Sequence, residues 1–287
     1  MEPAKTVAAL HDLSGVGRCA LTVAIPVISA MGVQVIPAPT AVLSAHTAFP
    51  DIVGTDLTDY LEQCLDKWCG MGLRFDCIYT GYLATVRQEE LARHFMERQP
   101  GALKVVDPVL GDDGRMYRAL PPDMPEAMRR LCAGADVITP NLTEAALLTG
   151  TPLRPASGKG PLGTNGCDAT YAMRDLKRLL EGLMELGPGT ALVTGVPLED
   201  AHVNAWMGRD GKVHTRAYAP VDASFPGTGD LFASVLTGGL TRGMAFEDAV
   251  SLATEYVRDT MLYTLSCGTE PLYGVQLELT LGKLAAE

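Results

Sequence analysis

A short glycine turn followed by an acidic residue is the first pattern in this sequence whose residue types could do chemistry. Gly227, Thr228 and Gly229 lead directly into Asp230 and the apolar run LFASVL, which predicts a helix that begins at the turn. The N–H groups at a helix N-terminus are unpaired and carry partial positive charge, so they suit a phosphoryl group. A carboxylate beside them could orient an attacking hydroxyl. On this segment alone, Asp230 is equally well explained as a helix cap that stabilises by about 1 kcal/mol.

Further acidic and amide side chains follow two other predicted strands. Asp107 ends the run KVVD, and Asn141 and Glu144 follow VITP. Because the carboxyl ends of parallel strands meet at one edge of a sheet, we expect these side chains near Asp230. Carboxylates at such an edge could hold Mg²⁺ through water. The alternative for Asn141 and Glu144 is an Asn-x-x-Glu capping pattern. Residues 111–117, GDDGRMY, form a polar, glycine-rich loop that could close over the site.

The segment at residues 11–20, HDLSGVGRCA, contains the G-x-G-x-x-A outline of a dinucleotide-binding turn, starting at Gly15. A dinucleotide fold requires the first strand to run straight into the first glycine and an acidic residue about twenty positions on. Here four residues, His11 to Ser14, follow the predicted strand, and the second strand, QVIPAPTAV, carries no acid. Two interpretations remain. The turn lets a helix pack closely on the sheet, or it forms a wall for a small substrate that His11 and Asp12 could hydrogen-bond.

Short apolar runs alternate with longer amphipathic segments, which predicts a mainly parallel sheet with helices on both faces. Strands are predicted at residues 6–10, 33–38, 77–80, 104–107, 137–139 and 191–194, with a late hairpin of 203–207 and 213–217. Helices are predicted at residues 19–31, 57–68, 88–98, 122–131, 142–148, 168–186, 229–241 and 246–262. The Gly/Pro-rich residues 150–166 predict a loop. A single domain over residues 1–287 is the simplest organisation.

Composition and charge exclude several classes of protein. Of the 287 residues, 47% are hydrophobic and 20% are charged, which indicates a globular chain with a sizeable core. The net charge of −11, without any Lys/Arg block, disfavours a nucleic-acid partner. No apolar run approaches the roughly 18 residues that span a bilayer, and a signal-peptide pattern is missing. Seven cysteines without a C-x-x-C pair suit reduced thiols. We therefore expect a cytoplasmic protein without a membrane partner.

Taken together, seven stretches resemble the ribokinase-like superfamily and, within it, the pyridoxal/pyridoxamine kinases. They are SGVGRCALTVAIPVISAMG, PTAVLSAHTAFP, GYLA, VVDPVLGDDGRMY, ITPNLTEAALLTG, LVTG and FPGTGDLFASVL, in the family's order over nearly the whole chain. The resemblance implies a three-layer α/β fold and ATP-dependent phosphorylation of the 5′-hydroxymethyl group of a B6 vitamer: pyridoxal, pyridoxamine or pyridoxine. It also implies a homodimer that needs Mg²⁺, often together with K⁺.

The resemblance further implies a role for each matching residue. Asp230 is the base for the substrate hydroxyl, and the amides of Gly227, Thr228 and Gly229 stabilise the transferring phosphoryl group. The ATP phosphates are contacted by Asn141, Thr194, Gly195, Thr228 and Gly229, and Mg²⁺ is organised by Asp107 and Glu144. The vitamer pocket is expected to be lined by Asp12, Ser14, Thr40, His46, Thr47 and Tyr82. The covering loop consists of Gly111, Asp112, Asp113, Gly114, Arg115, Met116 and Tyr117.

The first segment departs from the pyridoxal kinase pattern. Ala9 and Leu10 stand near the place of a usual serine, and LSGVGR replaces YGHVGN. HDLSGVG instead resembles SDPSGGAG of the hydroxymethylpyrimidine (phosphate) kinases of thiamin synthesis, which are the alternative. Asp230 favours the B6 kinases, because many hydroxymethylpyrimidine kinases carry cysteine at that position. The intact Gly-Thr-Gly-Asp and Asn-x-x-Glu patterns disfavour a non-catalytic vitamer-binding protein.

Overall fold

Strands and helices alternate along most of the computed structural model, which describes residues 3–152, 171–198 and 201–285. The strands are β1 (Thr6–Val16), β2 (Gln34–Ala45), β3 (Gly54–Asp56), β4 (Cys77–Thr80), β5 (Leu103–Val106), β6 (Gly111–Asp112), β7 (Arg115–Met116), β8 (Val137–Ile138), β9 (Thr190–Leu198), β10 (Ala201–Met207) and β11 (Val213–Tyr218). The α-helices are α1 (Leu21–Ala30), α2 (Thr58–Gly70), α3 (Val86–Glu97), α4 (Met124–Ala133), α5 (Leu142–Thr149), α6 (Met173–Met184), α7 (Thr228–Arg242) and α8 (Phe246–Ser266). Two 3₁₀ turns follow, Pro271–Tyr273 and Leu281–Leu284.

One large sheet contains nine of these strands, in the order β11-β10-β9-β8-β5-β4-β1-β2-β3. The six strands β9, β8, β5, β4, β1 and β2 pair in parallel with their neighbours in this order. The strands β10 and β11 at one edge and β3 at the other are antiparallel additions. The prediction of a mainly parallel sheet is therefore confirmed, and the carboxyl ends of its central strands share one edge.

Side chains of the central strands alternate between two buried apolar clusters. In β1, Val7 and Ala9 pack into the cluster that contains α1, α7 and α8. Ala8 and Leu10 pack into the other cluster, with α2 to α6. Because successive strand residues point to opposite faces, the sheet is covered on both sides. This three-layer arrangement confirms the predicted ribokinase-like fold.

The first two strands are longer than the sequence predicted. The predicted ends, residues 10 and 38, mark only where the apolar run stops, whereas main-chain pairing continues to Val16 and Ala45. β3 pairs with β2 only at residues 41–43, so β2 is an edge strand at Pro37 and Pro39. Proline is tolerated there because an edge strand does not need every N–H group for pairing. Gly15 thus lies inside β1, and the prediction that four residues separate it from the strand is wrong. The lack of an acid in β2 still disfavours a dinucleotide site.

The helices match the predicted segments with small shifts at their ends. The strand β3, the hairpin of β6 and β7 and the two 3₁₀ turns were not predicted. Residues 153–170 lie outside the described residues, and they include most of the predicted loop and the predicted start of the sixth helix. The single-domain organisation stays a prediction.

Candidate active site

A cavity of 1020 Å³ opens at the carboxyl edge of the parallel strands. Residues that follow β4, β5 and β8 line it, together with the ends of β1 and β9 and the N-terminus of α7. Most predicted site residues are among them: Asp12, Ser14, His46, Thr47, Tyr82, Asp107, Asn141, Glu144, Thr194, Gly195, Gly227, Thr228, Gly229 and Asp230. The topology therefore brings together segments that are far apart in sequence.

The Gly-Thr-Gly turn forms the N-terminus of α7, which begins at Thr228, one residue before the predicted start. Gly227 caps the helix with a φ of 82°, and a Cβ atom there would lie 1.9 Å from the carbonyl oxygen of Arg18. Glycine is therefore required for both conformation and space. The first hydrogen bond of the helix runs from the Leu231 N–H to the Gly227 carbonyl at 2.9 Å. The amides of residues 228–230 precede it, so they suit an anion in the cavity.

Both oxygens of the Asp230 carboxylate have partners in the segment at residues 11–20. Oδ1 lies 3.0 Å from His11 Nε2, and Oδ2 accepts a hydrogen bond from the Ala20 N–H at 2.9 Å. Ala20 has φ 53° and ψ −133°, a conformation that residues with a Cβ rarely adopt. Strain of this kind persists where the surrounding structure holds it, as it does at many functional sites. At Ala20 this conformation points the backbone N–H towards the Asp230 carboxylate.

His11 and Asp12 line the cavity, and their side chains face each other. His11 Nδ1 lies 3.0 Å from Asp12 Oδ1, and Ser14 Oγ donates to Asp12 Oδ2 at 2.7 Å. Burial alone would lower the pKa of His11, but the hydrogen bonds and charges of Asp12 and Asp230 outweigh it and raise the pKa to about 10. Burial would raise the pKa of Asp12, yet the hydrogen bond and charge of His11 hold it below its usual value.

Asn141 and Glu144 form the capping box that their spacing predicted as the alternative. Asn141 Oδ1 accepts from the Glu144 N–H at 2.9 Å, and Glu144 Oε2 accepts from the Asn141 N–H at 2.8 Å. The same side chains also hold the segment that leads into the loop. Glu144 Oε1 accepts from the Leu110 N–H at 3.1 Å, and Asn141 Nδ2 donates to the Gly111 carbonyl at 2.9 Å. Capping and loop positioning are thus carried out by one pair.

The predicted covering loop is a small hairpin made by β6 and β7. Its two central residues, Asp113 and Gly114, have φ values of 49° and 74°, which a tight two-residue turn of the primed type requires. The Gly114 N–H donates to Thr143 Oγ1 at 2.9 Å, which docks the hairpin on α5. Asp112, Asp113 and Tyr117 line the cavity. The other members, Gly111, Gly114, Arg115 and Met116, support the hairpin outside the cavity lining.

Asp107 is buried beside the cavity, where the chemistry of the donors suits a cation. Burial, together with the charge of Asp230, raises the pKa of Asp107 to about 7. Burial and the charge of Asp107 also raise the pKa of Glu144 well above its usual value. Within the described parts of the chain, no group of three His, Cys, Asp or Glu side chains could hold a metal ion. The donors fit Mg²⁺ carried on phosphate oxygens, which needs only one or two protein carboxylates and water.

His46 forms part of the wall on the side of the cavity near β2. Its Nε2–H donates to the Leu272 carbonyl at 2.7 Å, and its ring packs on Phe49 with centroids 4.8 Å apart. Gly17, with a φ of 91°, lies directly below, and a Cβ atom there would be 2.2 Å from the His46 ring. The second glycine of the opening turn therefore makes room for a pocket side chain.

Thr40 is the predicted pocket residue that the structure places away from the cavity lining. It is fully buried, and its Oγ1 donates to the carbonyl of Tyr82 at 2.8 Å. The extension of β2 past the predicted end turns this side chain towards the segment after β4. Thr40 thus supports the wall residue Tyr82.

The opposite side of the cavity is built on β9 and α8. Thr194 pairs with Asn141 in an isolated bridge, which joins β9 to the start of α5. The Gly195 N–H donates to Asn204 Oδ1 at 3.0 Å, and Asn204 Nδ2 donates to Thr254 Oγ1 at 2.9 Å. Asn204 and Thr254 line the cavity and were not predicted, because a single polar residue in a strand or helix carries no local signal of its partners.

In the part of the chain that the structure describes, no helix has the length and apolar character that crossing a bilayer demands.

Comparisons with known proteins agree with this geometry. A family model described as phosphomethylpyrimidine kinase matches residues 23–273. A pyridoxal kinase of Rubrobacter xylanophilus is 28% identical over 264 residues, which cover 84% of this chain and 81% of that protein. The crystal structure of pyridoxal kinase from Lactobacillus plantarum is 32% identical with a TM-score of 0.87, covering 99% of this chain and 97% of that one.

A further solved structure combines the two family descriptions. It is a protein of Bacteroides thetaiotaomicron, described as a phosphomethylpyrimidine kinase and crystallised with pyridoxal. It is 40% identical to this chain with a TM-score of 0.85, and the match covers 98% of this chain and 96% of that one. The phosphomethylpyrimidine kinase model and the pyridoxal kinase relatives thus match the same chain, which belongs to the pyridoxal kinase family of the ribokinase-like superfamily.

Proposed function

We propose that this protein transfers the γ-phosphoryl group of ATP to the 5′-hydroxymethyl group of a B6 vitamer. The observation that carries the proposal is the Asp230 carboxylate, held on both oxygens at the N-terminus of α7 inside the cavity. A fixed carboxylate next to unpaired helix amides supplies the two things that phosphoryl transfer needs, a group that orients the hydroxyl and donors that stabilise charge.

The vitamer ring lies against the wall formed by Ser14, His46, Thr47 and Tyr82, on the β1–β2 side of the cavity. This position directs the hydroxymethyl group towards Asp230. The carboxylate accepts the hydroxyl proton while the oxygen bonds to the γ-phosphorus and the bond to ADP breaks. A carboxylate that is already oriented does not have to reorganise during this step.

The nucleotide phosphates lie between the α7 amides and the end of β9. The amides of Gly227, Thr228 and Gly229 contact the transferring group, and Asn141, Thr194 and Gly195 border the other phosphates. When bound with ATP, Mg²⁺ neutralises charge on the phosphate oxygens, and Asp107 and Glu144 are the residues that would hold it and its waters. The hairpin at residues 111–117 covers the reacting groups and excludes water.

A substrate panel tests this proposal. The purified protein is incubated with ATP, Mg²⁺ and one of four substrates: pyridoxal, pyridoxamine, pyridoxine or hydroxymethylpyrimidine. We expect a phosphorylated B6 vitamer, identified by chromatography and mass spectrometry. The second candidate, hydroxymethylpyrimidine kinase, is favoured by the family description and by the HDLSGVG segment. Phosphorylation of hydroxymethylpyrimidine alone would replace the first proposal with this one.

The remaining features of the proposal concern ions, assembly and location. We propose one kinase domain that acts as a cytoplasmic homodimer, requires Mg²⁺ and is stimulated by K⁺. Chelation of the metal is expected to abolish turnover, replacement of KCl by NaCl to reduce it, and sedimentation to give twice the chain mass. Tight vitamer binding without any turnover would indicate a non-catalytic binding protein.

A further inference from the structure

The segment at residues 11–20 holds the Asp230 side chain from two directions. His11 Nε2 lies 3.0 Å from Oδ1, and the Ala20 N–H donates to Oδ2 at 2.9 Å. One donor comes from the end of β1 and the other from the residue that precedes α1. Two contacts on different oxygens leave the carboxylate a single orientation. The side chain of Asp230 nevertheless remains 15% exposed towards the cavity.

The surroundings of the His11 ring keep a donor pointed at Asp230 in either protonation state. Nδ1 lies 3.0 Å from Asp12 Oδ1, and it also faces the N–H groups of Asp12 and Tyr82 at 3.0 and 3.2 Å. A neutral ring accepts at Nδ1 from these N–H groups and carries its proton on Nε2. A protonated ring donates to Asp12 from Nδ1 and to Asp230 from Nε2. Asp230 therefore receives a hydrogen bond in both cases.

The ring is also fixed sterically. It packs directly on the backbone of Gly81, where a Cβ atom would lie 2.0 Å from two atoms of the imidazole. The edge of Tyr79 lies beside it, with ring centroids 6.1 Å apart. His11 is only 2% exposed. These contacts leave the imidazole no room to move away from Asp230.

His11 lies among several negatively charged groups, one of which is Asp230. The carboxylates of Asp12 on β1, Asp107 after β5 and Asp230 on α7 interact electrostatically with the ring, and the aromatic ring of Tyr79 on β4 packs beside it. With a pKa of about 10, the ring is cationic at neutral pH and offsets part of this negative charge. Without it, three carboxylates would repel one another in a partly desolvated cavity.

We propose that His11 is a positioning residue that holds Asp230 in its productive orientation, and that Asp12 in turn holds the imidazole. The inference rests on the proposed function of Asp230 as the base. His11 and Asp12 also line the cavity, and a direct contact of Asp12 with the substrate stays a prediction. Asp12 Oδ1 faces His11 Nδ1 and Asp12 Oδ2 accepts from Ser14 Oγ, so Asp12 fixes the ring that faces Asp230.

Steady-state kinetics of His11→Leu and His11→Gln test the proposal. Leucine removes the donor to Asp230, and we expect kcat to fall by about tenfold to a hundredfold, because misplacement of a reacting group by about 1 Å costs this much. The KM for ATP should change by less than about twofold, since His11 does not border the nucleotide side. The glutamine amide reaches the place of Nε2, so His11→Gln should recover most of the lost kcat. His94→Leu, at an exposed position of α3, is the matched control.

A double-mutant cycle with Asp230→Asn separates positioning from a merely structural contribution. If His11 acts through Asp230, His11→Leu causes no further loss of kcat in the Asp230→Asn background. An equal loss in both backgrounds, or an unchanged kcat in His11→Leu, would overturn the proposal. If His11→Leu does not fold by circular dichroism, His11→Asn takes its place, because its shorter amide contacts Asp12 without reaching Asp230. Near-normal turnover of Asp230→Asn itself would refute the function of the base and leave the vitamer specificity to the substrate panel.

Discussion

Asp230 combines two properties that a base for phosphoryl transfer needs. Its side chain is 15% exposed in the cavity, and both oxygens accept or face donors that come from the segment at residues 11–20. A carboxylate oxygen can accept more than one hydrogen bond, so these contacts leave lone pairs for a substrate hydroxyl. The geometry thus orients the carboxylate without blocking it.

Replacement of Asp230 by asparagine keeps the size of the side chain and removes its basicity. We expect Asp230→Asn to lower kcat by roughly a hundredfold or more, the usual contribution of a positioned base. The KM for ATP should change little. Asp248→Asn, an exposed first-turn acid of the next helix, is the matched control and should keep its turnover. Equal activity of the two variants would contradict the function of Asp230.

Local patterns predicted Asp230 and its glycine turn, because the helix start, the turn and the acid are consecutive in sequence. The partner of Asp230 could not be predicted in the same way. His11 is 219 positions away along the chain, and the contact exists only because β1 and α7 meet at one edge of the sheet. The sequence shows that residues 11–12 are polar, but the partners of His11 and Asp12 depend on tertiary structure.

The start of α7 shows that two glycines in one turn meet different constraints. At Gly227 a side chain is prevented by the φ of 82° and by the nearby carbonyl of Arg18. Gly229 faces open space, where a Cβ atom would have no neighbour within 4 Å among the described residues. In the proposed complex, this space belongs to the phosphoryl group.

The alanine variants of the two glycines should therefore separate stability from activity. We expect Gly227→Ala to lower the free energy of unfolding by at least about 1 kcal/mol, because it combines a positive φ with a backbone clash. Gly229→Ala should keep or increase stability, since alanine favours a helix, while raising the KM for ATP or lowering kcat. Denaturant unfolding and kinetics on both variants check this. Full activity of Gly229→Ala would argue against phosphoryl contact at this amide.

Asn141 connects the capping box of α5 to the hairpin that borders the cavity. Its side chain caps the helix and donates to Gly111. We expect Asn141→Ala to destabilise the protein by about 1 kcal/mol through the lost cap and to lower kcat through the loosened hairpin. Thr85, which caps α3 by accepting from Gln88, lies outside the cavity lining and offers the control. Thr85→Ala should cost similar stability in thermal unfolding without the loss of kcat.

Sequence patterns located most elements but not their full length. Buried apolar runs predicted the central strands well, because burial on both faces produces a continuous apolar segment. The extensions of β1 and β2 contain Pro39 and several polar residues, so only the pairing between the strands reveals them. Pairing slips by one residue between His11 and Leu13, an irregularity of the kind that redirects side chains near active sites. A single sequence carries no signal for such a slip.

The protonation of His11 connects the site to the stability of the folded protein. The pKa of His11 rises from 6.5 in an unfolded chain to about 10 in the folded protein. The folded state therefore keeps a proton that the unfolded chain releases between these pH values. The stabilising contribution is complete below pH 6.5 and is lost as the pH rises towards 10.

Removal of this titrating group should change the pH dependence of unfolding. We expect the free energy of unfolding of His11→Gln to fall less steeply than that of the wild type as the pH rises to about 10. The comparison is made above pH 7. Below that value Asp107, with a pKa of about 7, loses its proton as the pH rises, and this also lowers the free energy of unfolding. Denaturant unfolding at a series of pH values provides the measurement. Parallel curves for the two proteins would show that His11 does not hold this extra proton.

The segment at residues 11–20 contacts two parts of the cavity. Gly17 makes room for the ring of His46, and His11 and Ala20 in the same segment contact the carboxylate of Asp230. If the proposed function holds, the residues that select the heterocycle and those that orient the base therefore share one backbone segment. A substitution that reshapes this segment for a different heterocycle is then expected to change turnover together with selectivity.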